Sequence, residues 1–109
     1  MDEARARELL AAARERMESS LSDLAAPLED GEPAQSPADQ ATQLHDREVE
    51  EGLAERLRDE LAAVERAEQR LGEGTYGLSV ESGDPIPDAR LEAIPWAERT
   101  ADEEQRRVS

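Results

Sequence analysis

The sequence predicts a mainly α protein: a long antiparallel coiled-coil helical hairpin, a small C-terminal lobe shaped like a degenerate zinc finger, and a closing C-terminal helix. Three observations predict it. Two segments rich in Ala, Leu, Glu and Arg carry apolar residues at seven-residue steps, and a Pro- and Gly-containing break separates them. The C-terminal third is punctuated by Gly and Pro. In it, Ser79-x-x-Ser82, seventeen residues and Thr100-x-x-Glu103 repeat the spacing of a four-cysteine zinc site without one cysteine.

The first segment, Met1 to about Ala25, is built from good helix formers. Leu10, Met17 and Leu24 fall seven apart, with Leu21 and Leu28 on the neighbouring row. Pro27, Gly31, Pro33 and Pro37 then break the pattern. Ser36-Pro37-Ala38-Asp39 restarts it, because Ser36 can cap free backbone N–H groups, Pro37 suits the first helical position and Asp39 places negative charge in the first turn. A second helix is expected over about Pro37 to Leu71, with Leu53, Leu57, Leu61, Val64 and Leu71 on one side; some 35 residues span about 50 Å. Gly72 and Gly74 supply the stop. The lobe, Thr75 to Thr100, is expected to hold a short hairpin around Ser82-Gly83-Asp84 and a helical turn near Asp88–Ala93. A last helix runs from about Ala97 to Arg107. This divides the chain into a hairpin over 1–72, with its tip at about 26–41, and a lobe with its helix over 73–109.

Composition narrows the function. Twenty-eight acidic residues face thirteen basic ones, all Arg, for a net charge of −15. Nucleic-acid binding depends on basic groups that release counterions from phosphates, so direct DNA binding is not expected and a basic protein groove is the better partner. Without cysteine there is no disulfide framework. The N-terminus lacks the apolar run of a signal peptide, and no segment approaches the roughly 20 apolar residues of a membrane span. A cytoplasmic monomer with no membrane contact is expected. Catalysis finds no support: there is no activated nucleophile, no phosphate-cradling loop and no paired acid–base set.

The order of landmarks resembles the DksA/TraR family of bacterial transcription factors. Arg47-Glu48, the amphipathic helix, Gly74-Thr75-Tyr76-Gly77, Ser82-Gly83, Ile86-Pro87 and Arg90-Leu91-Glu92-Ala93-x-Pro95 carry the resemblance over roughly two thirds of the chain, from about Ser36 to Glu104. It implies a regulator that binds RNA polymerase through the secondary channel, with the coiled-coil tip directed at the active centre. The family's tip motif, Asp-x-x-Asp-x-Ala, corresponds to Ser36-Pro37-Ala38-Asp39-Gln40-Ala41, so Asp39 and Ala41 match and Ser36 replaces an acid. Asp39 also reads simply as a first-turn acid that complements the helix dipole. Arg47, Arg56 and Arg58 are candidates for contact with the polymerase rim, or for intrahelical pairing with nearby carboxylates.

The metal positions depart from the family. Ser79, Ser82, Thr100 and Glu103 offer hydroxyls and one carboxylate where zinc needs thiolates or imidazoles, so no metal and no cofactor are expected. His45, the lone histidine, is read as part of a solvated helix face. Replacing the metal's contribution to folding falls to Tyr76, Ile86, Leu91, Ile94 and Trp96 packed on the hairpin base, to hydrogen bonds among Ser79, Ser82 and Thr100, and to Leu78. Positions that in the family help bind guanosine tetraphosphate correspond to Ala63, Ile94 and Glu104, none of them basic, so no alarmone response is expected. The alternative reading is an acidic interaction module, a decayed paralogue that binds another protein such as a sigma or anti-sigma factor.

Overall fold

The computed structural model describes residues 1–25 and 37–108, with residues 37–43 described by their backbone alone. Among these residues four helices follow in order: α1 Glu3–Ala25, α2 Pro37–Glu73, α3 Asp88–Ala93 and α4 Ala101–Val108. The fold is mainly helical, and α1 and α2 pack against each other as the long hairpin. At 1.5 Å per residue the 37 residues of α2 span about 55 Å, which matches the longest dimension of the molecule, 56 Å.

The seam explains why these two helices pair. Ala6, Leu10, Ala13 and Met17 are buried on α1 at alternating steps of four and three. Opposite them, Val64 and Ala67 are sealed, and Leu57, Leu61 and Leu71 extend the stripe. Four of the seam residues are alanines, counting Ala63, which is also buried. Small side chains let the helix backbones approach closely, and Leu10, Met17 and Val64 fill the remaining space. The seam ends before Leu53, which was expected on the apolar face but is 46% exposed. Leu44 and Val49, nearer the tip, are more exposed still.

At its C-terminus α2 stops in a Schellman motif. The Thr75 N–H donates to the Arg70 carbonyl (2.9 Å) and the Gly74 N–H donates to that of Leu71 (3.4 Å). Gly74 takes φ +80°, a conformation that a side chain resists. The chain then enters the lobe. The expected hairpin reduces to one antiparallel bridge between Leu78 and Pro85, closed by Ser79 N–H to Asp84 O (2.8 Å) and Ile86 N–H to Gly77 O (2.7 Å). A second core cluster, Ile86, Leu91 and Ala97 with Met1 and Ile94 against it, lies between the lobe and the start of α1. Tyr76 packs on both clusters. Its hydroxyl donates to the Pro95 carbonyl (2.8 Å), and burial raises its pKa. Leu78 does not join this packing; it is 40% exposed.

The last helix begins at Ala101 rather than near Ala97. Thr100 and Glu103 set that start. The Thr100 N–H donates to Glu103 Oε1 (2.9 Å), and the Glu103 N–H donates to Thr100 Oγ1 (3.3 Å). This is a capping box, and it satisfies backbone donors that a helix start otherwise leaves open.

Candidate functional site

The residues expected to meet a polymerase lie on the half of α2 remote from the lobe. Asp39 and Ala41 fall within the first turns of α2, with their side chains outside the described residues; Ser36 lies outside them altogether. Arg47, Arg56 and Arg58 are all exposed. Arg56 pairs with Glu60 four residues on (3.5 Å), the intrahelical arrangement expected at that spacing. Arg47 and Arg58 instead border an open cleft of about 490 Å³ whose floor is formed by Leu21, Leu24 and Ala54. Among the described residues neither makes an ion pair, so both guanidinium groups keep their charge available to water or to a partner. His45 is exposed, as a solvated face requires.

The four metal-spaced positions are brought together in the lobe. Ser79 is 5% exposed and Glu103 6%, the only buried polar residues among those described. Ser79 Oγ accepts the N–H of Glu81 (3.1 Å) and of Ser82 (3.3 Å). Ser82 Oγ accepts the N–H of Asp84 (3.2 Å). The Glu103 carboxylate receives the Thr100 N–H, and that bond, with the Ser79 and Ser82 hydroxyls acting in the same direction, holds its pKa down at about 2. Of the bonding expected among Ser79, Ser82 and Thr100, the Ser82 N–H bonds Ser79 Oγ directly, whereas Thr100 bonds Glu103, a residue outside the expected set. The pattern Thr-x-x-Glu before a helix is itself a capping signature and could have revealed it.

Zinc does not fit this arrangement. Three neutral hydroxyls and one carboxylate are a poor set for that ion, and the carboxylate already accepts hydrogen bonds from its neighbours. Among the described residues no group of three or more His, Cys, Asp or Glu side chains is placed to hold a metal.

A third feature is the junction between hairpin and lobe. Glu98 takes a bidentate contact from Arg66 (3.1 and 2.8 Å) and a longer one from Arg70 (3.4 Å). The Arg66 hydrogen bond depresses the Glu98 pKa, and the charges of Arg66, Arg70 and Arg99 act in the same direction. On the opposite side of the base, Arg5 grips Glu92 in the same way (3.1 and 2.9 Å), and Arg14 bonds Glu68 across the hairpin. Ile94 and Glu104 line a cleft of about 520 Å³ here. That cleft does contain cations, although Ala63, Ile94 and Glu104 are not themselves basic: Arg66, Arg90, Arg99 and Arg107 enter it. Three of them are already engaged with carboxylates, Arg66 with Glu98, Arg99 with Glu81 and Glu104, and Arg107 with Glu104. Arg90 donates to the Arg99 carbonyl (2.9 Å).

Comparison with known proteins agrees with this architecture. The structure of transcription factor DksA2 from Pseudomonas aeruginosa superimposes with a TM-score of 0.68 over 96% of this chain and 81% of that one, at 29% identity. The RNA polymerase-binding transcription factor DksA of Caulobacter vibrioides is 36% identical over 69 residues, 63% of this chain and 49% of that protein. General stress protein 16O of Bacillus subtilis is 40% identical over 65 residues, 60% of this chain and 40% of that one. The chain thus spans less than half the length of these two sequence relatives. No family model matches it. In sequence and in fold this is a DksA/TraR-like chain, one without cysteine. Among the described residues no helix is long and apolar enough to cross a membrane.

Proposed function

We propose that the chain regulates transcription by binding RNA polymerase through its secondary channel, with the hairpin tip directed at the active centre. The observation that carries this reading is the separation of tip and lobe. The start of α2 lies about 55 Å along the helix from its end at the lobe, so a lobe seated on a channel rim leaves Asp39 and Ala41 free to reach inward. Arg47 and Arg58, which make no ion pair among the described residues, suit contact with the rim. The net charge of −15 favours a basic protein groove over DNA. The protein acts as a zinc-free monomer in the cytoplasm, without direct DNA binding and without chemistry of its own: its effect is on the stability of promoter complexes. The carboxylates already on Arg66, Arg99 and Arg107 compete with any polyphosphate at the junction cleft, so guanosine tetraphosphate has little effect.

Capture with core RNA polymerase tests the proposal. Wild type binds, and Asp39→Asn with Ala41→Thr binds equally while losing its effect on transcription. A wild type that does not bind overturns the reading and leaves the acidic interaction module, with a sigma or anti-sigma factor as the partner to try. Adding the alarmone to a transcription assay should change inhibition less than about twofold, well under the 5–150-fold of ordinary allosteric coupling; strong synergy sinks that part.

A further inference from the structure

We propose that the Glu103 carboxylate is the structural centre of the lobe, an internal anion that ties together the segments a metal cation would otherwise join. The inference deepens the zinc-free part of the proposed function and is independent of its polymerase part.

The geometry has three components. Glu103 is buried, its carboxylate accepts the Thr100 N–H at the start of α4, and it shares one cleft with Ser82 of the loop, whose hydroxyl, with that of the buried Ser79, lowers its pKa. Each serine oxygen in turn accepts backbone N–H groups of its own loop, so loop conformation and carboxylate position are coupled. Finally, these are the four positions whose spacing matches a zinc site. A tetrahedral cation joins such segments by collecting anionic ligands. Here the polarity is inverted: a central anion collects neutral donors, and charge-assisted hydrogen bonds are stronger than neutral ones. The charges near the knot are of both signs, with Arg90 and Arg106 facing Asp84 and Asp102 around the same cleft.

Two consequences separate this device from a metal centre. Metal and chelator leave the lobe unchanged, and acid weakens it. The carboxylate pKa in the fold, about 2, lies below its ordinary value of 4.5. The stabilisation is therefore complete above about pH 4.5 and fades as pH falls toward 2.

Thermal melting of the isolated protein, followed by the near-UV signal of Trp96 and Tyr76, tests this. At pH 7, addition of EDTA or of one equivalent of Zn²⁺ should shift the midpoint by less than about 1 °C, where metal binding with a Kd far below the zinc concentration would raise it by many degrees. Glu103→Gln should melt at least about 5 °C lower than wild type and show a shallower acid-dependent slope between pH 4.5 and 2, the remainder coming from other carboxylates with lowered pKa values, Glu92 and Glu98. Thr100 amide exchange in that variant should quicken by about tenfold or more. Asp102→Asn, which removes the same charge from the same helical turn but at an exposed position on the rim of the cleft shared by Ser82 and Glu103, should match wild type. If Glu103→Gln does not fold, Ser79→Ala and Ser82→Ala each remove one donor and should each lower the midpoint by a smaller amount. Chelator sensitivity, a zinc-dependent rise, an unshifted Glu103→Gln, serine variants as stable as wild type, or an equal loss in Asp102→Asn overturns the proposal. Polymerase capture by wild type has no bearing on any of these outcomes, so failure here leaves the polymerase part of the proposed function standing, and the reverse.

Discussion

Around Leu10 and Val64 the two long helices meet through side chains that are sealed from water, at 1% and 0% exposure, whereas Leu44, Val49 and Leu53 of the same α2 stand about half in solvent. The difference is one of partners rather than of helix chemistry. Near the base, α2 is covered by α1 on one side and by the lobe through Tyr76 and Trp96 on another. Farther out the last turns of α1 still face α2, with Leu21, Leu24 and Ala25 across an open cleft from Arg47, Glu50 and Ala54. They do not cover Leu44, Val49 and Leu53, which stay exposed. Folding free energy is therefore concentrated at the base, and the outer half of the rod is left with surface chemistry for recognition. The base is also where oppositely charged side chains join separate segments: Arg5 with Glu92, Arg14 with Glu68, and Arg66 and Arg70 with Glu98.

Truncations along the seam probe this contrast most strongly. Leu10→Ala should cost about 3 kcal/mol by urea denaturation, as expected for a sealed leucine whose neighbours relax only in part; a cost near zero would mean that the base is not the stable end. Removing Glu98 comes next. Glu98→Ala leaves Arg70, only 13% exposed, without its carboxylate, and should cost about 1–2 kcal/mol, less than a fully buried pair because Arg66 is half solvated. The Glu98 pKa is depressed, so its contribution is fully present above the ordinary carboxylate range and is lost as pH falls below it. Chemical denaturation at pH 6 and pH 3 should show a smaller difference between wild type and variant at the lower pH. A difference of about 1 kcal/mol is expected for Gly74→Ala, which forces a side chain into the φ +80° position that ends α2. The smallest effect belongs to the outer half: Leu53→Ala should lie within about 0.5 kcal/mol of wild type. A loss as large as that of Leu10→Ala would show that something covers this face in solution.

Much of the architecture was legible because it depends on local pattern. Seven-residue steps of Leu, Met and Val mark α1 and α2, Ser36-Pro37 marks the start of α2, and Gly72 and Gly74 bracket its stop. The alanines of the seam were not legible in the same way. In a helix rich in Ala, a buried Ala6 or Ala13 has the same composition signal as an exposed one. Leu53 misled for the opposite reason: it keeps the apolar period but lies where the seam has ended. Of the site, the positions Ser79, Ser82, Thr100 and Glu103 were visible as a spacing, yet the role of Glu103 was not, because the Thr-x-x-Glu cap was read only as part of a metal grid.

The sequence by itself determined which segments are helical, about where α1 to α3 begin and end, that no thiolate or imidazole occupies the metal-spaced positions, and that the surface is strongly acidic. These follow from spacing, residue type and charge, which act over a few neighbours or need only be counted. Tertiary structure alone decided how far α1 covers α2, that Arg90, Arg99 and Arg107 meet Arg66 in one cleft, and that the buried Glu103 shares a cleft with Ser82, more than twenty positions away. Such outcomes depend on how separate segments lie against one another in three dimensions, and no local pattern encodes that placement.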